Sequence, residues 1–297
     1  MADILSRGTL FPHELVTEMV DAVRGKSALA KLSARKPMAF SGTDAFVFTL
    51  DKEVDIVAEN GPKTKGGATV TAKQMVPVKF EYGARVSDEY KYCSEEKRME
   101  YLRSFMDGFA KKMARGMDIA AFHGLNPRTA TASAVVNGND FDTLIPAAAK
   151  ITATTDPDAD IEGAVAKVIA AGYEATGIAL APTEAAALAA LKVNGVRQYP
   201  ELAWGANPES LNGLTLDING TVNFNSGKAL AYVGDFKNMF YWGYADQMKF
   251  EVIEYGNPDN DATLGDLKGH NQVYIRAEMY IGWGILDNNA FALVKSE

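Results

Sequence analysis

Cysteine and histidine are scarce in this chain of 297 residues, which contains one cysteine and three histidines. Cys93 alone cannot form an intrachain disulfide, and a structural zinc site generally needs several cysteine or histidine ligands. His13 and Glu14 begin like a zinc-protease motif, but Thr17 stands where the second histidine ligand would be. We therefore expect no disulfide, no bound metal and no cofactor.

Long apolar runs and positive charge are also lacking. No run approaches the roughly 18 residues that a membrane span needs, and the N-terminal segment lacks the basic and apolar regions of a secretory signal. The chain has 30 Lys and Arg against 38 Asp and Glu, a net charge of −8. This balance argues against a dedicated nucleic-acid reader. What remains is a globular chain, since 47% of its residues are hydrophobic and 23% are charged.

Motifs of catalysis are missing as well. The sequence contains no Gly-x-Ser-x-Gly elbow, no phosphate-binding Walker loop and no Gly-x-Gly-x-x-Gly segment that opens a helix. Asp259, Asp261 and Asp266 offer carboxylate oxygens of the kind that hard cations prefer. Their spacing does not match a calcium-binding EF-hand loop, so we interpret them as part of a solvated acidic loop, residues 256–269. We expect no catalytic residue.

A short amphipathic helix is predicted between Pro12 and Gly25. Its apolar residues recur at helical spacing: Leu15, Val16, Met19, Val20 and Val23. A helix this short is marginal alone and needs a surface on which to lie. It is either an ordinary packed helix or an arm exchanged with another copy.

A long β-hairpin is predicted in the next segment. Residues 45–50 and 54–57 are rich in strand formers, and residues 76–86 alternate between apolar and charged side chains. Turn formers and charges crowd residues 59–67 between these runs. Because an isolated two-stranded ribbon is only marginally stable, we expect the hairpin to fold back on its own subunit or to lie on a neighbour.

The most strongly patterned element is a helix predicted over Glu95–His123. Ser94 suits its N-cap, and Gly124 suits its C-terminal stop. Apolar residues recur every three or four positions along one face: Met99, Leu102, Met106, Phe109, Met113, Met117 and Ala120. The helix would be about 43 Å long at about 1.5 Å per residue. His123 at its end is interpreted as a partner of the helix dipole or a solvated side chain.

Strand and helix alternate after Gly124, which is typical of an α/β unit. Helices are predicted at residues 159–171, with the preceding aspartates as caps, and at residues 183–191, with Thr183 as the cap. Strands are predicted at the following segments: 176–182, 214–218, 229–233, 239–244, 248–255, 271–281 and 290–294.

The order of these elements resembles the major capsid protein of tailed phages, which has the α+β Hong Kong 97-like fold. The segments that carry the resemblance are 82–89, 117–124, 211–218, 233–236 and 276–292. The resemblance implies an N-terminal arm at residues 1–35 and an extended loop at 36–80. It also implies a peripheral domain of residues 81–125 and 227–297, built on the long spine helix, and an axial α/β domain at 126–226.

The same resemblance implies a function in assembly. Such subunits form hexamers and pentamers that close into an icosahedral head shell around double-stranded DNA, which they enclose without sequence-specific binding. The protein would be made in the host cytoplasm, become part of the virion and meet scaffold, portal and decoration proteins. The chain starts almost directly at the arm, so we expect a separate scaffold or a removed precursor segment.

Contacts between subunits are expected at the arm, the hairpin tip and the acidic loop. The residues concerned are Leu15, Met19, Glu59, Lys63, Lys65, Asn257, Asp259, Asn260 and Asp266. Some relatives join a loop lysine covalently to an asparagine of another subunit. By this resemblance, Lys63 or Lys65 would be the donor and Asn257 or Asn260 the acceptor.

Two alternatives remain at this point. An encapsulin-like nanocompartment would share the fold but enclose a cargo enzyme instead of DNA. A small α/β hydrolase is the second alternative, and the missing nucleophile motif argues against it.

Overall fold

The structure is a computed structural model that describes residues 26–245 and 249–297. The helix predicted between Pro12 and Gly25, with Leu15 and Met19, lies outside the described residues. The described helices are α1 (Ala28–Leu32), α2 (Glu95–His123), α3 (Phe141–Leu144), α4 (Pro157–Ala170), α5 (Pro182–Ala190) and α6 (Phe236–Met239). No helix in the described ranges is both long enough and apolar enough to cross a membrane.

The strands fall into two sheets and two hairpins. In the first half of the chain they are β1 (Thr43–Leu50), β2 (Ala68–Met75), β3 (Val78–Ser87), β4 (Lys150–Thr152), β5 (Gly177–Leu180), β6 (Lys192–Val193) and β7 (Val196–Arg197). In the second half they are β8 (Ser210–Leu211), β9 (Leu214–Ile218), β10 (Ala229–Gly234), β11 (Phe240–Tyr244), β12 (Lys249–Ile253), β13 (Gln272–Ile285) and β14 (Phe291–Lys295).

The long helix α2 has the predicted boundaries. The Ser94 hydroxyl accepts a hydrogen bond from the Lys97 N–H, and Gly124 closes the helix in the left-handed conformation at φ 65°. The predicted apolar stripe packs on the sheet built around β13: Leu102, Met106, Phe109, Met113 and Met117 are buried. Met106, Phe109, Met113 and Met117 of this stripe belong to the main hydrophobic core of the described chain.

Strand β13 is the centre of a four-stranded antiparallel sheet. It pairs with β3 along residues 272–281 and with β12 and β11 over successive segments. This arrangement corrects the prediction for the hairpin. The alternating residues 76–86 belong mainly to β3, which is half-buried because it pairs with β13, and they do not form the return strand of the hairpin.

The hairpin itself consists of β1 and β2. Eight residue pairs join them, from Thr43 opposite Met75 to Leu50 opposite Ala68. The strand predicted at residues 54–57 does not form, and this segment lies in the connection between the two strands. In β2 the small apolar residues Ala68, Val70 and Ala72 alternate with polar residues, but neither face of the strand is covered by a core, since Met75 is its only buried residue.

Two methionines join the hairpin to the body. Met75, at the end of β2, is buried on Gly284, and Met38 lies on Gly282. A Cβ atom at either glycine would overlap the methionine above it. We call these four residues the hairpin base. The glycines are required here because the methionine side chains occupy the space of a Cβ atom.

The second sheet has the order β4-β14-β10-β5-β9-β8. The pairs β4–β14 and β5–β9 are parallel and the other pairs are antiparallel. Helices α4 and α5 cover it, with Val168 and Leu188 packed against Ile178 and Leu216. Residues 126–226 supply β4, β5, β8 and β9, whereas β10 and β14 come from the C-terminal part of the chain.

The caps of the two covering helices differ from each other. Asp156 caps α4 as predicted, since its carboxylate accepts a hydrogen bond from the Ala159 N–H at 3.3 Å. The prediction of Thr183 as the cap of α5 is wrong. Helix α5 begins at Pro182, and Ala181 takes the N-cap position with no side-chain hydrogen bond. Proline suits this first position because its ring presets φ and it has no N–H to satisfy.

Candidate assembly surfaces

The hairpin presents an apolar face that nothing in the described chain covers. Side chains alternate along a strand, so Phe46, Phe48 and Leu50 lie on one face, with Val70 directly opposite Phe48. Their exposed fractions are 63%, 69%, 68% and 50%. We call these four residues the apolar face of the hairpin. Contiguous apolar residues exposed in this way are typical of a protein–protein contact.

The tip of the hairpin continues this exposure. Val54 and Ile56 are 90% and 97% exposed. The predicted contact residues Glu59, Lys63 and Lys65 are also exposed, and they make no hydrogen bond or ion pair with the part of the chain that the structure describes. The tip therefore has side chains available for another molecule.

The acidic loop is different because Arg85 of β3 organises it from within. The Arg85 guanidinium donates to both carboxylate oxygens of Asp259, at 2.8 and 2.5 Å, to Asn257 Oδ1 at 2.7 Å and to the Gly265 carbonyl at 2.9 Å. Such a paired contact between a guanidinium and a carboxylate is a strong, directional hydrogen bond. The hydrogen bonds from Arg85 lower the pKa of Asp259 to about 2.

Most of the predicted contact residues of the loop are engaged within the chain. The Asn257 amide also donates to the Asp261 carbonyl at 2.9 Å, and Asp266 accepts from the N–H groups of Gly256 and Lys268. Asn260 is exposed, and its side chain has no hydrogen bond to the described residues. No group of three or more metal-ligating side chains occurs among the residues described.

A buried carboxylate joins the start of the described chain to the long helix. Asp118 of α2 is fully buried and accepts from the Ser27 hydroxyl at 2.5 Å, from the Ala28 and Leu29 N–H groups and from the Thr221 hydroxyl at 3.2 Å. Burial raises the pKa of Asp118 to about 7, although these hydrogen bonds oppose the rise. Asp118 thereby fixes the place where the N-terminal segment meets the body.

His123 continues this buried polar network. Its Nδ1 lies 2.7 Å from Asp142, its Nε2 lies 2.9 Å from the Thr221 carbonyl, and the Tyr232 hydroxyl donates to Asp142 at 2.6 Å. Burial lowers the pKa of His123, but Asp142 more than offsets this effect, so the net shift is upward. The interpretation of His123 as a solvated side chain is wrong, because its side chain is only 6% exposed.

Sequence reasoning did not find this network. Asp118 and Thr221 are 103 residues apart, and Asp142 and Tyr232 are 90 residues apart. The only local signal was an aspartate on the otherwise apolar C-terminal part of α2. Both ring nitrogens of His123 are occupied, which gives the network a structural use in joining distant segments.

The fold and the exposed hairpin define a structural protein built to associate with other molecules. The model of the phage capsid family matches residues 7–296, so the chain belongs to the phage capsid family. Comparison with curated proteins finds no match.

Solved structures give the same result. A chain from Mycobacterium phage Ogopogo is 28% identical, with a TM-score of 0.75 and 92% of each chain covered. A chain from Gordonia phage Cozz is 26% identical, with a TM-score of 0.73, and 92% of this chain and 87% of that chain are covered. A structure described as the capsid of an empty GTA particle computed with C5 symmetry is 15% identical over 91% of this chain and 90% of that chain. Its TM-score of 0.63 shows likeness of fold alone.

The chain is therefore a major capsid protein, a virion component that assembles with copies of itself into a shell. The predicted α+β, Hong Kong 97-like fold class is confirmed. The matches favour neither an encapsulin-like compartment nor a small α/β hydrolase.

Proposed function

We propose that the chain forms hexamers and pentamers that close into the icosahedral head shell of a tailed phage around its double-stranded DNA. In this proposal the apolar face of the hairpin lies on an adjacent subunit. The observation that carries the proposal is the exposure of Phe46, Phe48 and Leu50 on a hairpin that has no core of its own.

Burial of this face supplies the driving force for assembly. Each large apolar side chain contributes about 1.5–3 kcal/mol when it passes from water into a packed contact. Phe46, Phe48 and Leu50 alone would contribute several kcal/mol per contact, and the contact is repeated many times in one shell.

The division into domains belongs to the same proposal. Residues 1–35 are the arm, 36–80 the extended loop, 81–125 and 227–297 the peripheral domain and 126–226 the axial domain. Strands β10 and β14 hydrogen-bond to β5 and β4 of the proposed axial domain, so we propose that they join the two domains into one unit.

The remaining partners follow from membership of the family. We propose that the shell uses scaffold, portal and decoration proteins, that the subunit performs no catalytic turnover and that it is made in the host cytoplasm. The contacts between subunits include Glu59, Lys63 and Lys65 at the hairpin tip, and Asn260 in the acidic loop.

The test is electron microscopy of the full-length protein and of two matched double variants. Phe46→Asp/Phe48→Asp places two charges on the apolar face of the hairpin. Thr69→Asp/Thr71→Asp places the same charges on its opposite, exposed face. We expect closed shells from the natural chain and from the threonine variant, and free subunits or small oligomers from the phenylalanine variant.

A natural chain that remains monomeric or dimeric by gel filtration would overturn the proposal, as would normal shells from the phenylalanine variant. The contents of particles from infected cells test the second part. Genome-length, nuclease-protected DNA supports a phage head, whereas an enclosed protein cargo would contradict it.

A further inference from the structure

The C-terminal half of the long helix carries a positively charged face. Lys111, Lys112 and Arg115 are exposed there, and Gly108 lies one turn before them on the same side. We call these four residues the basic face. Their side chains form no ion pair or hydrogen bond with the described residues, and the Arg115 guanidinium lies over the Phe224 ring at 5.5 Å.

Helix geometry places these charges together. At 100° per residue, Lys111, Arg115 and Lys112 fall within about 100° of the helix circumference, away from the buried stripe of Phe109 and Met113. Asp118 is buried, so the exposed acidic residue closest in sequence is Asp107, one turn before Lys111, and no ion pair joins Asp107 to Lys111 in the described chain. The face thus carries three positive charges in a protein whose net charge is −8.

Gly108 gives a second, independent indication. Glycine weakens a helix interior relative to alanine, so its presence calls for a reason. A Cβ atom at Gly108 would meet no atom within 4 Å, whereas one at Gly116 would pack against Phe80 and Pro127. Nothing inside the described chain accounts for Gly108. A glycine on an exposed helix face permits close approach of another molecule.

The chemistry of the face indicates what that molecule is. The apolar face of a second copy's hairpin does not complement three cations. A nucleic-acid backbone does, because double-stranded DNA carries one negative charge about every 1.7 Å along its axis. Contacts from lysine and arginine to phosphates carry no sequence information.

We propose that the basic face contacts the phosphate backbone of the enclosed nucleic acid and that this side of the long helix faces the inside of the shell. The inference rests on the proposed function. Three contacts per subunit give a weak interaction that depends on salt and not on sequence. This accords with the overall acidic charge, since the shell would meet DNA at isolated points and repel it elsewhere.

The experiment measures binding of a fluorescent 30-base-pair duplex to capsomers or free subunits of the full-length chain between 50 and 200 mM salt. The variant Lys111→Gln/Lys112→Gln/Arg115→Gln removes the charges of the basic face. The matched variant Lys167→Gln/Lys192→Gln/Lys237→Gln removes three exposed charges from other elements. Circular dichroism establishes that both variants are folded.

We expect the basic-face variant to bind the duplex at least tenfold more weakly at 50 mM salt. The slope of log K against log salt should fall in magnitude by about 2.7, which is about 0.9 for each lost phosphate contact. The matched variant should bind within about twofold of the natural chain. Gly108→Ala should raise the thermal midpoint of the subunit and still weaken duplex binding.

Three results would overturn the inference: no binding of the duplex by the natural chain at 50 mM salt, unchanged binding by the basic-face variant, or an equal loss in the matched variant. A folded basic-face variant that keeps duplex binding but no longer assembles would make this face a contact between subunits instead. Failure of the proposed function is distinguishable, since it would appear as absence of shells from the natural chain.

Discussion

The hairpin and the buried network around Asp118 reverse the usual distribution of polar and apolar groups in opposite ways. The hairpin exposes Phe46, Phe48 and Leu50, whereas the network buries a carboxylate and the imidazole of His123. A contiguous exposed apolar patch is typical of a surface that another molecule covers, and a buried charged group is generally satisfied by donors and acceptors of the same chain. The hairpin thus concerns contacts between subunits, and the network concerns the connection of one subunit's own segments.

The largest expected effect comes from removal of the buried carboxylate. Asp118→Ala leaves the hydroxyls of Ser27 and Thr221 and the N–H groups of Ala28 and Leu29 without their acceptor. We expect a loss of about 4 kcal/mol or more in the free energy of unfolding, since four donors lose their acceptor and each buried unsatisfied donor costs about 1–3 kcal/mol. Urea unfolding of unassembled subunits measures it.

The conservative variant Asp118→Asn is the control for that measurement. It keeps the shape and one acceptor oxygen, so we expect it to lose less than half as much stability. Equal stability of all three proteins would show that the network contributes nothing to folding.

The pH dependence should come from the network and not from the hairpin. Between pH 4 and pH 7 folded Asp118, with its pKa of about 7, holds a proton that the unfolded chain has lost, so its contribution to stability falls as pH rises. The pKa of His123 is also raised, so its contribution is present below about pH 6.5 and is lost as pH rises through its folded value. We expect subunits to be less stable at pH 8 than at pH 6 by about 1–2 kcal/mol.

Urea midpoints at the two pH values check this expectation, with Asp118→Asn as the variant in which most of the difference disappears. The pair of Arg85 and Asp259 does not contribute in this range, because the pKa of Asp259 is about 2. A midpoint that rises from pH 6 to pH 8 would contradict the assignment.

A smaller effect on stability is expected in the hairpin. Phe48→Ala removes a side chain that is 69% exposed, so the free energy of unfolding of the unassembled subunit should change by less than about 0.5 kcal/mol. The protein concentration needed for shell formation should rise by tenfold or more, as expected when about 1.5–3 kcal/mol of apolar burial is lost. Light scattering measures this threshold concentration. A large loss of stability in the unassembled subunit would contradict the interpretation that the hairpin concerns contacts between subunits.

No covalent linkage between subunits is expected through Asn257. The Asn257 amide is bonded to Arg85 and Asp261 within its own loop, which leaves Asn260 as the freer of the two candidate acceptors. Assembled particles of the variant Asn257→Ala that are boiled and run on a denaturing gel should give the same bands as particles of the natural chain. A ladder of larger bands that Asn257→Ala abolishes would contradict this expectation, whereas a ladder that only Asn260→Ala abolishes would assign the linkage to Asn260.

Local patterns predicted the elements whose signals lie within the element. The helix Glu95–His123 is correct at both ends because Ser94 and Gly124 have side-chain and backbone properties that fix the termini. Strand Leu214–Ile218 is also correct. The prediction that residues 76–86 form the return strand of the hairpin was wrong, because alternation alone does not identify the partner of a strand. These residues belong mainly to β3, which pairs with β13.

The candidate contact residues also divide into those whose surroundings local patterns predicted and those whose surroundings depend on distant residues. Glu59, Lys63 and Lys65 are exposed at the hairpin tip, as turn formers and charges suggested. The acidic loop was not predictable as a self-bonded unit, since Arg85 is 174 residues from Asp259. Hydrogen bonds between residues so far apart leave no periodic pattern in a single sequence. The role of the loop in contacts between subunits remains a prediction.

The hairpin base has a consequence for how one chain fits two environments. In a shell that combines rings of six with rings of five, chemically identical hairpins must leave their subunits at slightly different angles. Met38 and Met75 rest on bare backbone at Gly282 and Gly284, and an unbranched thioether changes rotamer more readily than a branched or aromatic side chain. We therefore expect a change of angle to fall at the hairpin base, where unbranched side chains meet glycine backbone, and the eight paired residues of β1 and β2 to keep the shape of the apolar face.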